Sequence, residues 1–95
     1  MGATIIDGAF EWDADKATSN LAKHDVSFEE AVTVFGDEAS IVLDDGSGAD
    51  RCVIIGFSSV ARTLLVVFVE VAERDRIIGA RKATKAERAL YGAKQ

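Results

Sequence analysis

Residues 10–28 read FEWDADKATSNLAKHDVSF, and this stretch predicts more of the fold than any other part of the chain. The β-type residues at positions 5–12 predict a first strand. Asp13 has the short acceptor side chain that favours an N-cap, so a helix is expected to follow. The helix has a small apolar stripe at helical spacing, formed by Ala14, Ala17 and Leu21.

The end of this helix and the start of the next are also marked in the sequence. Lys23 and His24 stand at the negative C-terminal end of the helix dipole, where cations are favoured. Asp25 is expected in the left-handed conformation that ends many helices, which Asp tolerates at some cost. Ser27 followed by Glu30 forms a capping-box pattern and predicts a second helix.

The rest of the chain predicts four strands and a last helix. The strands are expected at residues 39–43, 51–58, 62–73 and 76–82. Thr84 and Glu87 repeat the capping-box pattern and open the last helix. Short turns between consecutive strands favour antiparallel pairing. We therefore expect an α+β fold, an antiparallel sheet packed with helices on one face in the order β-α-α-β-β-β-β-α, as one domain over residues 1–95.

Composition excludes several classes of protein. Apolar residues make up 48% of the chain, but no apolar run reaches the 18 or so residues of a membrane span, and no signal peptide is visible. We expect a cytoplasmic protein that does not enter the membrane. Cys52 is the only cysteine and His24 the only histidine, which is too few for a zinc site. No metal and no cofactor are expected.

The net charge of −5 conceals a division along the chain. Residues 1–50 hold 2 Lys and 12 Asp or Glu, a charge of −10, whereas residues 51–95 hold 9 Lys or Arg and 4 Asp or Glu, a charge of +5. A chain divided in this way can carry an anion site despite its negative total. The alternative is that the two halves interleave in space and neutralise each other.

Three motifs in this order and spacing resemble the BrnT family of bacterial toxins. They are F-E-W-D-x-x-K-x-x-x-N-L-x-K-H followed by V-S-F-E-E-A, then L-L-V-V-F-V-E, and finally R-I-I-G-A-R-K-A-T-x-x-E-R. The resemblance covers nearly the whole chain, from about residue 10 to residue 91. It implies the architecture of the RelE-like ribonuclease toxins.

The resemblance also implies a function and partners. A toxin of this kind would cleave RNA without a metal and stop translation. It would be silenced by a cognate BrnA-like ribbon-helix-helix antitoxin in a hetero-oligomer. Operator DNA would be bound only through the antitoxin, so that the toxin acts as a co-repressor.

Cleavage of RNA without a metal requires a proton acceptor for the 2′-hydroxyl and cations that stabilise the phosphate in the transition state. His24 is the natural proton-transfer group, because histidine ordinarily titrates near neutrality. The alternative is that it only caps the helix end. We predict that Glu70 and Arg76 meet across a hairpin turn and that Arg81 joins them, so the predicted catalytic residues are Glu70, Arg76, Arg81 and His24.

Two alternatives stay open for this grouping. Glu70 and Arg76 can equally form a surface ion pair without a catalytic role. Arg76 and Arg81 point to opposite faces of a regular strand, although a bulge at Gly79 would change that. Four further cations are predicted to bind RNA, and these are Lys23, Arg62, Lys82 and Lys85. The alternative function is a catalytically inactive protein-binding module or co-repressor with the same fold.

Overall fold

In the computed structural model, which describes residues 2–48 and 50–93, six strands form one sheet that packs between helices. The strands β1 to β6 are Thr4–Asp7, Phe10–Asp13, Ile41–Asp44, Cys52–Phe57, Thr63–Val71 and Arg74–Lys82. The helices α1 to α3 are Ala14–His24, Phe28–Thr33 and Lys85–Ala93, and a 3-10 turn at Val34–Gly36 follows α2. The predicted α+β class is confirmed.

The predicted first strand at residues 5–12 is divided into two. Gly8 has a φ of +57°, a left-handed conformation that favours glycine, and the chain reverses there. As a result β1 and β2 form an antiparallel hairpin, with Ile5 opposite Trp12. The N-terminal strand β1 therefore forms one edge of the sheet.

The strand order across the sheet is β1-β2-β6-β5-β4-β3. Neighbouring strands are antiparallel, as predicted, except that β2 pairs in parallel with β6. These two strands are far apart in the sequence, so no hairpin forces them to be antiparallel. Their pairing is short and ends where Trp12 lies beside Ile77.

Two apolar cores lie on the two faces of the sheet. The larger core is under α1 and α2, where Trp12 and Phe28 are buried and their rings meet edge to face at 6.0 Å. Burial of each such side chain stabilises the fold by about 2 kcal/mol. On the other face, Leu65 and Ile55 pack against Tyr91 of α3. The helices therefore cover both faces of the sheet, and the expectation that they would lie on one face is wrong.

A β-bulge in β6 changes which side chains share a face. Val67 of β5 lies opposite Gly79, whereas Phe68 lies opposite Ile77, so Ile78 is the extra residue. Such an insertion reverses the alternation of side chains beyond it. The side chains of residues 79–82 of β6 consequently point to the opposite face of the sheet from the one they would occupy in a regular strand.

The local helix signals were predicted correctly in most respects. Asp13 accepts a hydrogen bond from the backbone N–H of Lys16 at 3.0 Å, and Asp25 is left-handed with a φ of 57°. Thr84 and Glu87 form a complete capping box, with hydrogen bonds of 2.9 and 3.2 Å in the two directions. The first capping box is only half formed, because the Ser27 hydroxyl caps α2 but the Glu30 carboxylate binds elsewhere.

Helix α1 is unusually exposed. None of its residues is buried, and Leu21 of the predicted apolar stripe is 49% exposed. Within residues 2–48 and 50–93, no helix is long and apolar enough to cross a membrane. The exposure of α1 leaves two of its flanks accessible from outside the fold.

Candidate functional site

The candidate site begins where the pairing of β2 with β6 ends. Beyond Ile77, the side chain of Asn20 takes the place of a neighbouring strand. Its amide Nδ2 donates to the carbonyl of Ala80 at 2.8 Å, and its Oδ1 accepts from the N–H of Ala80 at 3.1 Å. The same Nδ2 donates to the carbonyl of Val26 at 2.9 Å. One side chain thus joins α1, the connection between α1 and α2, and the edge of β6.

A cleft lies beside this junction, between α1 and the bulge of β6, and we call it the α1 cleft. Its volume is about 190 Å³. Five of its lining residues come from α1 and one from β6, namely Lys16, Ser19, Asn20, Lys23, His24 and Ile78. The polar residues recur at three- and four-residue spacing, which places them on one flank of the helix.

The lining of the α1 cleft is cationic. It contains Lys16, Lys23 and the single histidine, and it contains no carboxylate. Within the described part of the chain, neither lysine forms a salt bridge. Two other polar cavities have carboxylates in their lining, with Glu70 in both. The α1 cleft therefore combines a proton-transfer group with cations that suit a phosphate.

Arg76 and Arg81 of β6 lie on the face of the sheet opposite the one that α1 covers. Because of the bulge, Arg76 and Arg81 share one face, whereas a regular strand would separate them. Arg76 donates to Glu11 at 2.5 Å. Arg81 donates to both carboxylate oxygens of Glu87, at 2.7 and 2.9 Å, and this contact lowers the pKa of Glu87 to about 2.

The predicted grouping of Glu70 with Arg76 is wrong. Glu70 lies opposite Asp75 in the β5–β6 pairing, whereas Arg76 lies opposite Val69. Adjacent pairs alternate between faces, so Glu70 and Arg76 point to opposite sides of the sheet. Burial, and then the nearby Glu70 charge, raises the pKa of the Asp75 carboxyl.

Arg62, a predicted RNA-binding residue, is half-buried and held by contacts with other parts of the chain. Its guanidinium donates two hydrogen bonds to Glu30, and a further one reaches the carbonyl of Asp25 at 2.8 Å. The guanidinium keeps the pKa of Glu30 below its ordinary value despite partial burial. This network ties the end of α1 to the start of α2 and to the residue that precedes β5.

The remaining predicted cations are dispersed. Lys82 ends β6 and is exposed, and its charge also lowers the pKa of Glu30. Lys85 is the first residue of α3 and is exposed. Neither contributes to the lining of the α1 cleft, which brings together only Lys23 and His24 of the predicted site residues.

Sequence reasoning did not select three residues that shape the cleft. Lys16 and Asn20 were visible in the N-terminal motif, at helical spacing from Lys23, and that spacing was the available signal. Ile78 gave no such signal, because the position of a bulge depends on the register between neighbouring strands, although Gly79 had indicated that a bulge could occur in this strand. Within the described ranges, no three His, Cys, Asp or Glu side chains are placed to hold a metal ion.

Comparison with known proteins identifies the family. The profile of "Ribonuclease toxin, BrnT, of type II toxin-antitoxin system" matches residues 12–87. The crystal structure of the Brucella abortus ribonuclease toxin BrnT is similar, with a TM-score of 0.64 and 26% identity over 78% of this chain and 94% of that one. No curated protein sequence matches the chain. Because the family profile spans most of the sequence, the chain belongs to the BrnT family of ribonuclease toxins of type II toxin-antitoxin systems.

Proposed function

We propose that this toxin is an endoribonuclease that cuts RNA at the α1 cleft without a metal and thereby stops translation in the cytoplasm. One observation carries the proposal: the cleft holds His24 with Lys16 and Lys23 and has no carboxylate in its lining. An anionic phosphodiester is attracted to such a lining, whereas the cavities around Glu70 repel it.

The side chains of the cleft supply the parts that RNA cleavage needs. The His24 imidazole accepts the proton of the 2′-hydroxyl, and the 2′-oxygen then attacks the adjacent phosphorus. A new bond joins the 2′-oxygen to phosphorus, the bond from phosphorus to the 5′-oxygen breaks, and the leaving oxygen takes up a proton from water. Lys16 and Lys23 stabilise the charge that develops on the phosphate. General base catalysis of this kind contributes about 10²- to 10⁴-fold in rate.

The β6 arginines have a different place in this proposal. Arg76 and Arg81 face away from the larger core, and a carboxylate already contacts each of them. A phosphate would have to displace Glu11 or Glu87 before it could bind there. We propose that they contact flanking RNA at most, together with Lys82 and Lys85. Glu70 lies among other carboxylates, and Arg62 is held by Glu30. Neither residue has a direct part in the proposed cleavage.

The test measures cleavage of single-stranded RNA by purified protein in the presence of a metal chelator. We expect His24→Ala, and Lys16→Ala combined with Lys23→Ala, to lower kcat/KM at least 100-fold. The matched control is Arg51→Ala, which removes one positive charge from a cavity lined by acids. We expect activity of this control to stay within about threefold of the parent.

Two other outcomes would redirect the assignment. Loss of cleavage in Arg76→Ala/Arg81→Ala with full activity in the cleft variants would place the site on the α3 face. Absence of cleavage by folded parent protein, with the chelator or without it, would favour the alternative of an inactive protein-binding module.

We further propose that a cognate antitoxin neutralises the toxin. A BrnA-like ribbon-helix-helix protein fits the family, and the complex would be a hetero-oligomer that binds operator DNA through the antitoxin. Co-expression with the antitoxin should restore growth that the toxin alone arrests. Co-purification of both chains would accompany this rescue, whereas arrest that continues in the presence of a bound antitoxin would contradict neutralisation.

A further inference from the structure

Helix α1 has a second accessible flank, roughly opposite the cationic cleft. A groove of about 260 Å³ lies between this flank and strand β1, and we call it the β1–α1 groove. Ile5 forms one wall, and Ala17 and Leu21 form the other. The floor includes the buried rings of Trp12 and Phe28. The apolar stripe of α1 therefore lines a groove that is open to solvent.

The side chains that form the walls of this groove are much more exposed to solvent than the core side chains beneath them. Ile5 is 39% exposed and Leu21 is 49% exposed, whereas Trp12 beneath them is 2% exposed. Single exposed apolar residues are ordinary on protein surfaces. Two that flank a groove with an aromatic floor resemble the anchor pockets of protein interfaces.

The charges around the β1–α1 groove identify the kind of partner. Glu29 is among its lining residues, which include no lysine, arginine or histidine. Asp7 follows Ile5 by two residues on β1 and so lies on the same face, and Asp15 is exposed in the first turn of α1. This acidic rim repels RNA and anionic lipids, and it repels the same rim of a second copy. It attracts a cationic partner.

We infer that the β1–α1 groove is the docking site for a basic amphipathic helix of the antitoxin. This inference rests on the family's toxin–antitoxin function and adds the surface that mediates it. A helix fits because the groove lies on the face where α1 and α2 already form a helical layer, which another helix would extend over β1. Its apolar side chains would contact Ile5 and Leu21, and its lysines or arginines would face the acidic rim.

The experiment measures the affinity of the purified toxin for full-length cognate antitoxin by isothermal titration. We expect Ile5→Glu and Leu21→Glu each to weaken binding about tenfold or more, because each places a charge in an apolar interface. The matched control is Ile6→Glu, since Ile6 is 58% exposed but points to the opposite face of β1. We expect the control to bind within about threefold of the parent.

Two further variants separate this surface from the cleft and test its charge. Lys16→Ala/Lys23→Ala should retain antitoxin affinity, because these lysines occupy the other flank of α1. Glu29→Lys should weaken binding, because it reverses a charge of the groove that attracts the cationic partner. Circular dichroism melts establish that each variant is folded before its affinity is interpreted.

Several results would overturn the inference. Unchanged affinity in Ile5→Glu and Leu21→Glu would exclude the groove, and an equal loss in Ile6→Glu would show that no particular face of β1 is used. Dimerisation of free toxin that Ile5→Glu abolishes would assign the groove to a second copy. Since binding is measured without RNA, a toxin that fails to cleave RNA would refute the proposed catalysis and leave this test intact.

Discussion

Replacing Asn20 with aspartate tests how the α1 cleft is held open. The substitution keeps the shape of the side chain and its acceptor for the N–H of Ala80, but it removes both donated hydrogen bonds. The carbonyls of Val26 and Ala80, which accept at 2.9 and 2.8 Å, lose their partner and face a carboxylate instead. Each unsatisfied carbonyl costs about 1 kcal/mol or more, and repulsion adds to this. We expect the free energy of unfolding at pH 7 to fall by about 2–4 kcal/mol.

The pH dependence of this loss is a specific signature. A protonated carboxyl group can donate one hydrogen bond, so it restores one of the two lost contacts with Val26 and Ala80. The folded variant therefore binds its proton more tightly than the unfolded variant, and its stability improves as the pH falls. We expect the deficit relative to the parent to shrink between pH 7 and pH 4. Urea unfolding at both values measures it.

The control for this prediction is Ser19→Ala, which alters a neighbouring residue of the same cleft. We expect it to change stability by less than about 0.5 kcal/mol. A comparably small loss in Asn20→Asp, or a deficit that does not change with pH, would refute the role assigned to Asn20. Faster amide exchange at Ala80 in the variant would locate the defect at the edge of β6.

Three further predictions concern charged side chains, two of them in ion pairs and the third in the α1 cleft. Glu87→Gln should lower the free energy of unfolding by about 1 kcal/mol at pH 7. This is less than the full pKa shift implies, because the Arg81 side chain is 38% exposed and solvent screens the ion pair. Because the folded pKa of Glu87 is lowered to about 2 from 4.5, urea unfolding should show this difference disappearing as the pH falls from about 4.5 to 2. Arg62→Ala should lower the free energy of unfolding by about 2–3 kcal/mol, because it leaves the Glu30 carboxylate unpaired. Adding Glu30→Gln should recover part of this loss in thermal melts. Absence of any recovery would contradict the pairing. Replacing both cleft lysines with alanine should reduce the salt slope of single-stranded RNA affinity by about 1.4, and an unchanged slope would show that neither lysine contacts phosphate.

Local signals carried most of the correct predictions about the fold. Asp13, Asp25 and the Thr84–Glu87 box act within one turn of chain, so their roles depend on neighbours that the sequence displays. The class of fold follows from the order of these elements. The first hairpin was missed because Gly8 allows both an extended strand and a left-handed turn, and pairing decides between them.

The arrangement of the site depended on strand register and on contacts between distant residues, neither of which the sequence displays. The bulge at Ile78 placed Arg76 and Arg81 on one face, and the β5–β6 register separated Glu70 from Arg76. Arg62 has the same charge as any RNA-binding arginine, and only its contacts with Glu30 distinguish it. His24 and Lys23 were predicted together because a single helix carries both.

The ion pairs explain how an acidic protein can present a cationic cleft. Arg62 pairs with Glu30 and Arg76 with Glu11, so acids of the first half of the chain neutralise arginines of the second. The two halves interleave at these contacts, as the alternative interpretation of the charge division expected. No corresponding partner contacts the two cleft lysines within the described residues. The net charge of −5 therefore coexists with a cationic cleft, because the potential that a phosphate meets depends on nearby unneutralised charges more than on the total.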